Sequence, residues 1–241
     1  MREIDKVEII KRFEFMKDIY DRVDNPEFEK EELCGVFFYK GSAYCTNNHI
    51  IGRITSKKMF SSDELLFWSY CENETHQTRN YLPKINALRN FKTNFANNLD
   101  IIFAPYAENY FFIRRETLLS AIPKQFKTDP ARSKVFAHVK IKGVSLHFLF
   151  FNKKCEVLDS SEVPMFIADG RIPRITHGCS FSMNLLYLYK IATHSFFDCD
   201  IIGFKLKEGD HLQPVIIFNK HNSLDRPQIY WSIAQTLLKI K

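Results

Sequence analysis

Ile9, Phe13, Met16, Tyr20 and Val23 recur at alternating intervals of four and three, the apolar stripe of an amphipathic helix over 6–22. Asn25-Pro26 stops it, because the residue before a proline avoids the helical region. Three short β-rich runs follow, LCGVFFYKG (33–41), SAYCTNN (42–48) and HIIGRIT (49–55), divided by Gly and Asn, which suit tight turns. They predict a meander. A fourth run, ELLFWSYCE (64–72), precedes a second helical pattern with Tyr81, Ile85, Leu88 and Phe95 on one side and Arg79, Asn86, Asn90 and Thr93 on the other. LDIIFAPYA (99–107) predicts a strand that closes the first half.

From Tyr110 the order repeats in pattern, though not in residue identity. Strand YFFIRR leads to a short helix, ETLLSAIPKQF, then to strands KVFAHVKIK, VSLHFLFFNKK and EVLDSSEVPMFIA and strand GCSFS. A helix, MNLLYLYKIATH, and a hairpin turning at Glu208-Gly209-Asp210 complete the half. DRPQIYWSIAQTLLKI predicts a last helix with Asp225 as its N-cap. The fold class is therefore α+β, with domains over 1–108 and 109–221 and a C-terminal helical appendage over 222–241.

Composition adds a packed core, since 45% of residues are hydrophobic and 23 are Phe. The opening residues mix charge with apolar side chains, and no run approaches a membrane span, so a cytoplasmic location is expected. The six cysteines include no C-x-x-C and read as reduced thiols rather than zinc ligands.

Charge is distributed unevenly around a net of +6. Residues 1–32 hold 7 Lys/Arg against 11 Asp/Glu, whereas 75–99 hold Arg79, Lys84, Arg89 and Lys92 with no acid. Residues 114–154 hold 10 bases against Glu116 and Asp129. Helical lysines are ordinarily just solvated, but an acid-free basic segment is what a phosphate-facing surface needs.

Catalytic patterns are missing. Lys40-Gly41-Ser42 lacks the upstream glycine of a phosphate loop, and no G-x-G-x-x-G occurs. His49 reads as a turn or packing residue, with no second ligand at metal spacing. Asp198 and Asp200 mark a turn and Asp210 a hairpin tip, though they leave a small two-metal nuclease open as a lesser alternative. No enzyme activity, metal or cofactor is expected.

Three stretches carry a family resemblance. Gly35-Val36-Phe37-Phe38 followed by Tyr44-Cys45-Thr46-Asn47-Asn48-His49 resembles a sliding-clamp strand, turn and T-D-G/N-H strand end. YFFIRRETLLSAI (110–122) is similar to the opening of a clamp domain. Its closing element is matched by Phe181, Asn184, Leu185, Leu186, Ile201, Phe204, Leu206, Pro214, Val215 and Ile216. Together they resemble the sliding clamp of DNA replication, especially the bacterial type, the DNA polymerase III beta subunit. The chain departs from it in having two domains, as archaeal, eukaryotic and phage clamps do, rather than three. Asn47 and Asn48 stand where that turn has an acid and a glycine, Ile50 stands where an Arg commonly follows the His, and the last helix has no counterpart.

The resemblance implies two helices per domain packed on antiparallel sheets, and a DNA processivity factor without chemistry of its own. It implies a ring around double-stranded DNA, here a homotrimer closed head to tail by pairing of sheet edges. The helices would line the hole, which nominates Arg79, Lys84, Arg89 and Lys92, then Lys124, Lys127 and Lys190, with Lys11 and Arg22 sharing their face with Glu14 and Asp18. It also implies a pocket for short peptides of polymerase or repair partners, at Phe103, Pro105 and Tyr106 and at Pro214, Ile216 and Phe218. The principal alternative is a clamp-fold peptide-binding scaffold that does not encircle DNA.

Overall fold

The computed structural model describes residues 3–17, 35–47, 49–55, 65–70, 74–77, 98–103, 109–128, 134–167, 179–206, 214–220 and 227–235. The chain is a mixed α+β protein built on antiparallel sheets, in two compact units. One comprises Met1–Ala104 with Asn222–Trp231, and the other Pro105–His221 with Ser232–Lys241.

The first unit begins with helix α1 (Glu3–Phe13); the chain turns at Glu14 and Phe15 and is helical again at Met16 and Lys17, and the rest of the helix expected over 6–22 lies outside the described residues. Beyond Phe13 the chain makes two single turns, from Glu14 N–H to the Lys11 carbonyl and from Lys17 N–H to the Glu14 carbonyl. Ile9, Phe13 and Met16 of the apolar stripe are buried. The meander is β1 (Gly35–Tyr39), β2 (Ser42–Thr46) and β3 (Ile50–Thr55), with β4 (Leu66–Ser69) pairing β1 and β5 (Glu74–Gln77) pairing β4. Asn47 shapes the β2–β3 turn, its Oδ1 accepting the His49 and Ile50 N–H groups at 3.1 and 3.0 Å, an Asx turn.

Two expectations are overturned here. Residues 99–107 were expected as a strand, but Leu99–Ile102 is a helical turn, α2, closed by Ile102 N–H to Asn98 O and Phe103 N–H to Leu99 O. Leu99 and Phe103 lie four apart, so one turn buries both, and a period of four describes the run better than alternation. Within the C-terminal helix expected over 225–240, Gln228–Ile233 is instead a strand, β13, which lies beside β3, and 236–240 lie outside the described residues. Ile229, Trp231 and Ile233 are fully buried while Gln228 is exposed, an alternation on which aromatic and β-branched side chains pack well in a sheet. Gly52 makes room for this strand's indole: a Cβ there would lie 2.7 Å from both the Phe13 and Trp231 rings.

The second unit holds two sheets. One has the order β12-β11-β6 and the other β10-β7-β8-β9. The strands are β6 (Asn109–Arg114), β7 (Phe136–Lys142), β8 (Ser145–Phe151), β9 (Val157–Pro164), β10 (Ser180–Asn184), β11 (Ile201–Leu206) and β12 (Val215–Lys220). Pro123 divides the expected helix into α3 (Arg115–Ala121) and α4 (Lys124–Thr128), with Ile122 held extended before it. Asn184 caps α5 (Leu185–Lys190) by accepting the Leu186 N–H at 2.9 Å. Helix α5 runs into a wider π turn, Ile191–Ser195, closed by Phe196 N–H to Ile191 O.

The core of this unit lies between its sheets. Phe111 of β6 stacks on Phe204 of β11 at 5.0 Å, and Phe181 of β10 lies 6.1–6.3 Å from both. Phe126 of α4 meets Phe150 of β8 at 6.0 Å. Among the described residues no helix is long and apolar enough to cross a membrane.

Candidate nucleic-acid and partner interface

The described cations on helices are few and spread out. Lys11 is exposed on α1, beside Arg12, which is only 1% exposed and reaches Glu8 Oε1 through Nη2 at 2.6 Å. Arg12 therefore serves the core, and Lys11 is the solvent-facing base of that turn. On α4, Lys124 is exposed and Lys127 half-buried, while Lys190 is half-buried at the end of α5. Arg115 braces the α3 and α5 region: its N–H donates to Asp200 O at 2.8 Å and its Nε to Ala192 O at 2.7 Å. Arg22, Arg79, Lys84, Arg89 and Lys92 lie outside the described residues, as do Pro105 and Tyr106.

The remaining members of the expected peptide pocket fall in different units. Phe103 is buried in the first unit, 6.5 Å from the Tyr44 ring. Ile216 and Phe218 share one face of β12 in the second unit, and half-buried Pro214 precedes that strand. Ile216 is buried, whereas Phe218 is half-buried and lies across Gly203, where a Cβ would come within 2.2 Å of its ring. Phe112 meets Phe218 at 5.9 Å and Lys205 Nζ sits 5.0 Å from its centroid.

Sequence reasoning did not single out Arg53. Its guanidinium contacts two rings, 4.5 Å from the Phe103 centroid and 4.9 Å from that of Tyr230. The available signal was that Arg53 is the lone charged residue across β1, β2, β3 and β13. A second unremarked feature is a cavity of about 310 Å³ in the second unit, lined by Arg114, Arg115, Glu116, Phe166, Asp200 and their neighbours. Arg114 stacks over Phe166 at 5.1 Å on its rim.

His49 is exposed, in keeping with a turn residue. Among the described residues no group of three or more His, Cys, Asp or Glu could hold a metal ion.

Comparison with solved structures decides the architecture. A DNA polymerase sliding clamp from Pseudomonas aeruginosa superposes with a TM-score of 0.56 at 11% identity, covering 95% of this chain and 66% of that one. The fold is that of a DNA sliding clamp. A DNA polymerase sliding clamp from Caulobacter crescentus gives 0.58 at 8% identity, covering 96% and 64%, and the H. pylori beta clamp 0.55 at 12%, covering 86% and 60%. The chain thus spans slightly less than two thirds of the length of these clamps. No family model and no curated protein sequence matches it.

Within the clamp fold, the two units share a module. The order β4-β1-β2-β3 in the first repeats as β10-β7-β8-β9 in the second. In the first, β13 lies on the outer edge of β3, whereas β9 carries no further strand among the described residues. Val157 and Leu158 of β9 are 60% and 41% exposed.

Proposed function

We propose that this chain is a non-catalytic, sliding-clamp-like processivity factor of the cytoplasm that encircles double-stranded DNA and tethers polymerase or repair proteins. The observation that carries the reading is the contrast between β3 and β9. An unpaired strand edge bearing exposed apolar side chains is a template for pairing with another chain, and proteins ordinarily protect such edges. A strand from a second copy, laid on β9 as β13 lies on β3, makes a head-to-tail contact, and such contacts close into rings when the rotation permits. Two modules per chain make the closed form a homotrimer.

Binding in such a ring is electrostatic and indifferent to sequence, so dispersed lysines suffice. Lys124, Lys127, Lys190 and Lys11 supply part of that field, with Arg22, Arg79, Lys84, Arg89 and Lys92 supplying the rest. Partner peptides dock on apolar surface near Phe103, Pro105 and Tyr106 and near Pro214, Ile216 and Phe218.

Light scattering coupled to gel filtration tests the ring: a mass near three times 28.4 kDa is expected. Retention on nicked circular DNA, with release when the circle is linearised, tests encirclement. A monomer that leaves both DNA forms equally fast refutes it.

The second reading is a clamp-fold scaffold that binds partners without encircling DNA. A monomer that binds partner peptides but no DNA is the outcome that selects it.

A further inference from the structure

We infer that Arg53 is a carboxylate anchor, which makes the partner segment received beside Phe103 an acidic peptide rather than a purely apolar one. The inference shares Phe103 with the partner dock proposed above and rests on that reading for the occupant being a peptide.

The geometry begins with what Arg53 lacks. Its Nε is buried without a hydrogen-bond partner, and among the described residues its side chain makes no hydrogen bond or ion pair. A guanidinium carries five N–H donors in a planar fork, and leaving a buried charged donor unmet is costly, so such groups mark sites completed by something else. The surroundings hold the fork in place. The guanidinium carbon lies 4.5 Å from the Phe103 ring centroid and 4.9 Å from that of Tyr230, so two aromatic rings shield it from water while its N–H donors stay available to an acceptor. Phe103 is itself fixed by burial and by Tyr44 behind it, and Tyr230 by its place on β13, so the pair forms a preset slot.

Charge selects the occupant. Arg53 is the single charged residue among the four strands β1, β2, β3 and β13, set among aromatic side chains. One carboxylate, planar and bidentate, neutralises one guanidinium and matches its fork. A nucleic-acid backbone presents successive phosphates and gains its affinity from several cations together, whereas these four strands carry one. The aromatic walls suit the apolar neighbours of an Asp or Glu in a peptide.

The test uses the full chain labelled with ¹⁵N, and two probes, acetyl-Ala-Asp-Phe-amide and its Asn counterpart, with a decathymidylate as the competing class. The Arg53 Nε–H resonance, identified by its loss in Arg53→Lys, is expected to move saturably with the Asp peptide. The Asn peptide binds about tenfold more weakly, the difference between a charge-assisted fork and a neutral contact. Arg53→Lys, which keeps the charge but not the fork, also loses about tenfold. Tyr230→Ala weakens the Asp peptide while near-ultraviolet dichroism stays native, which separates loss of the slot from loss of the fold.

Equal affinity for the two peptides overturns the inference, as does a resonance that stays still at millimolar peptide. A shift produced more readily by decathymidylate overturns it too, in favour of phosphate. The two readings fail separately: equal binding accompanied by shifts at Phe103 and Tyr230 keeps the tethering site and removes the carboxylate anchor. Asp-selective binding by a monomer keeps the anchor and removes the ring.

Discussion

The ring of Phe13 meets the indole of Trp231 edge-on at 5.5 Å, and Phe15 meets the same indole at 5.3 Å. These contacts join the first helix to β13 across Gly52, so the core of the first unit contains residues from both stretches of chain that compose it. Trp231 is fully buried. Trp231→Ala is expected to cost about 3–5 kcal/mol, the loss of a large buried ring together with the cavity it leaves. Urea denaturation followed by far-ultraviolet dichroism measures it, and a midpoint shift with an unchanged slope is the expected form.

Gly203 and Phe218 make a smaller, more local pair. A methyl at Gly203 meets the far end of the Phe218 ring, which must swing off the sheet and lose Phe112. Gly203→Ala is expected to cost about 1–3 kcal/mol, in the range of overpacking. Phe218→Ala in the same chain relieves the clash, so the two substitutions are less costly together than their sum, and a double-mutant cycle reads the difference.

The Asn184 cap offers a cleaner number. Its Oδ1 satisfies one of the open N–H groups at the start of α5, and Asn184→Ala removes that acceptor while leaving the buried Leu185 and Leu188 in place. A loss of about 1 kcal/mol is expected by equilibrium unfolding. No change would mean that solvent replaces the cap without penalty.

Charge reversal probes the proposed DNA surface. Lys124→Glu, Lys127→Glu and Lys190→Glu combined are expected to weaken duplex binding regardless of sequence. They should also flatten the dependence of log K on log salt by roughly 0.9 for each phosphate contact removed. Fluorescence anisotropy at several salt concentrations gives both quantities. An unchanged slope would take these lysines out of the DNA surface.

Ring closure has its own probe in β9. Leu158→Lys places a solvated charge on an exposed apolar position of β9, whose outer edge carries no strand among the described residues, the device by which natural edges avoid pairing. Dissociation to monomers with an unchanged unfolding midpoint is expected, and intact trimers would locate the contact elsewhere.

How much of this could be read from the residues depended on how local the deciding contacts are. The β1–β2–β3 meander and the β7–β8 hairpin were legible because Gly, Asn and strict alternation act within a few residues. Lys140 and Lys142 are exposed while Val139 and Ile141 are buried, as their alternation requires. The strand at Gln228–Ile233 was not legible, because IYWSI also satisfies a helical stripe and only β3 and the Phe13 ring, far away in sequence, decide between the two. Leu99–Ile102 failed for the converse reason, a run too short for its period to be told. At the candidate site, the lysines were legible as charges. The pair of ring contacts at Arg53 was not, since the two rings come from positions 103 and 230.

Because Trp231 belongs to the first unit while almost all of the second is encoded between Gly52 and it, that unit's interior cannot be completed in the order in which the ribosome delivers the chain. Synthesis must run through Pro105–His221 of the second unit before the indole reaches Phe13, a delay characteristic of contacts between sequence-distant segments. Until then the emerging polypeptide carries β3 with its flank bare.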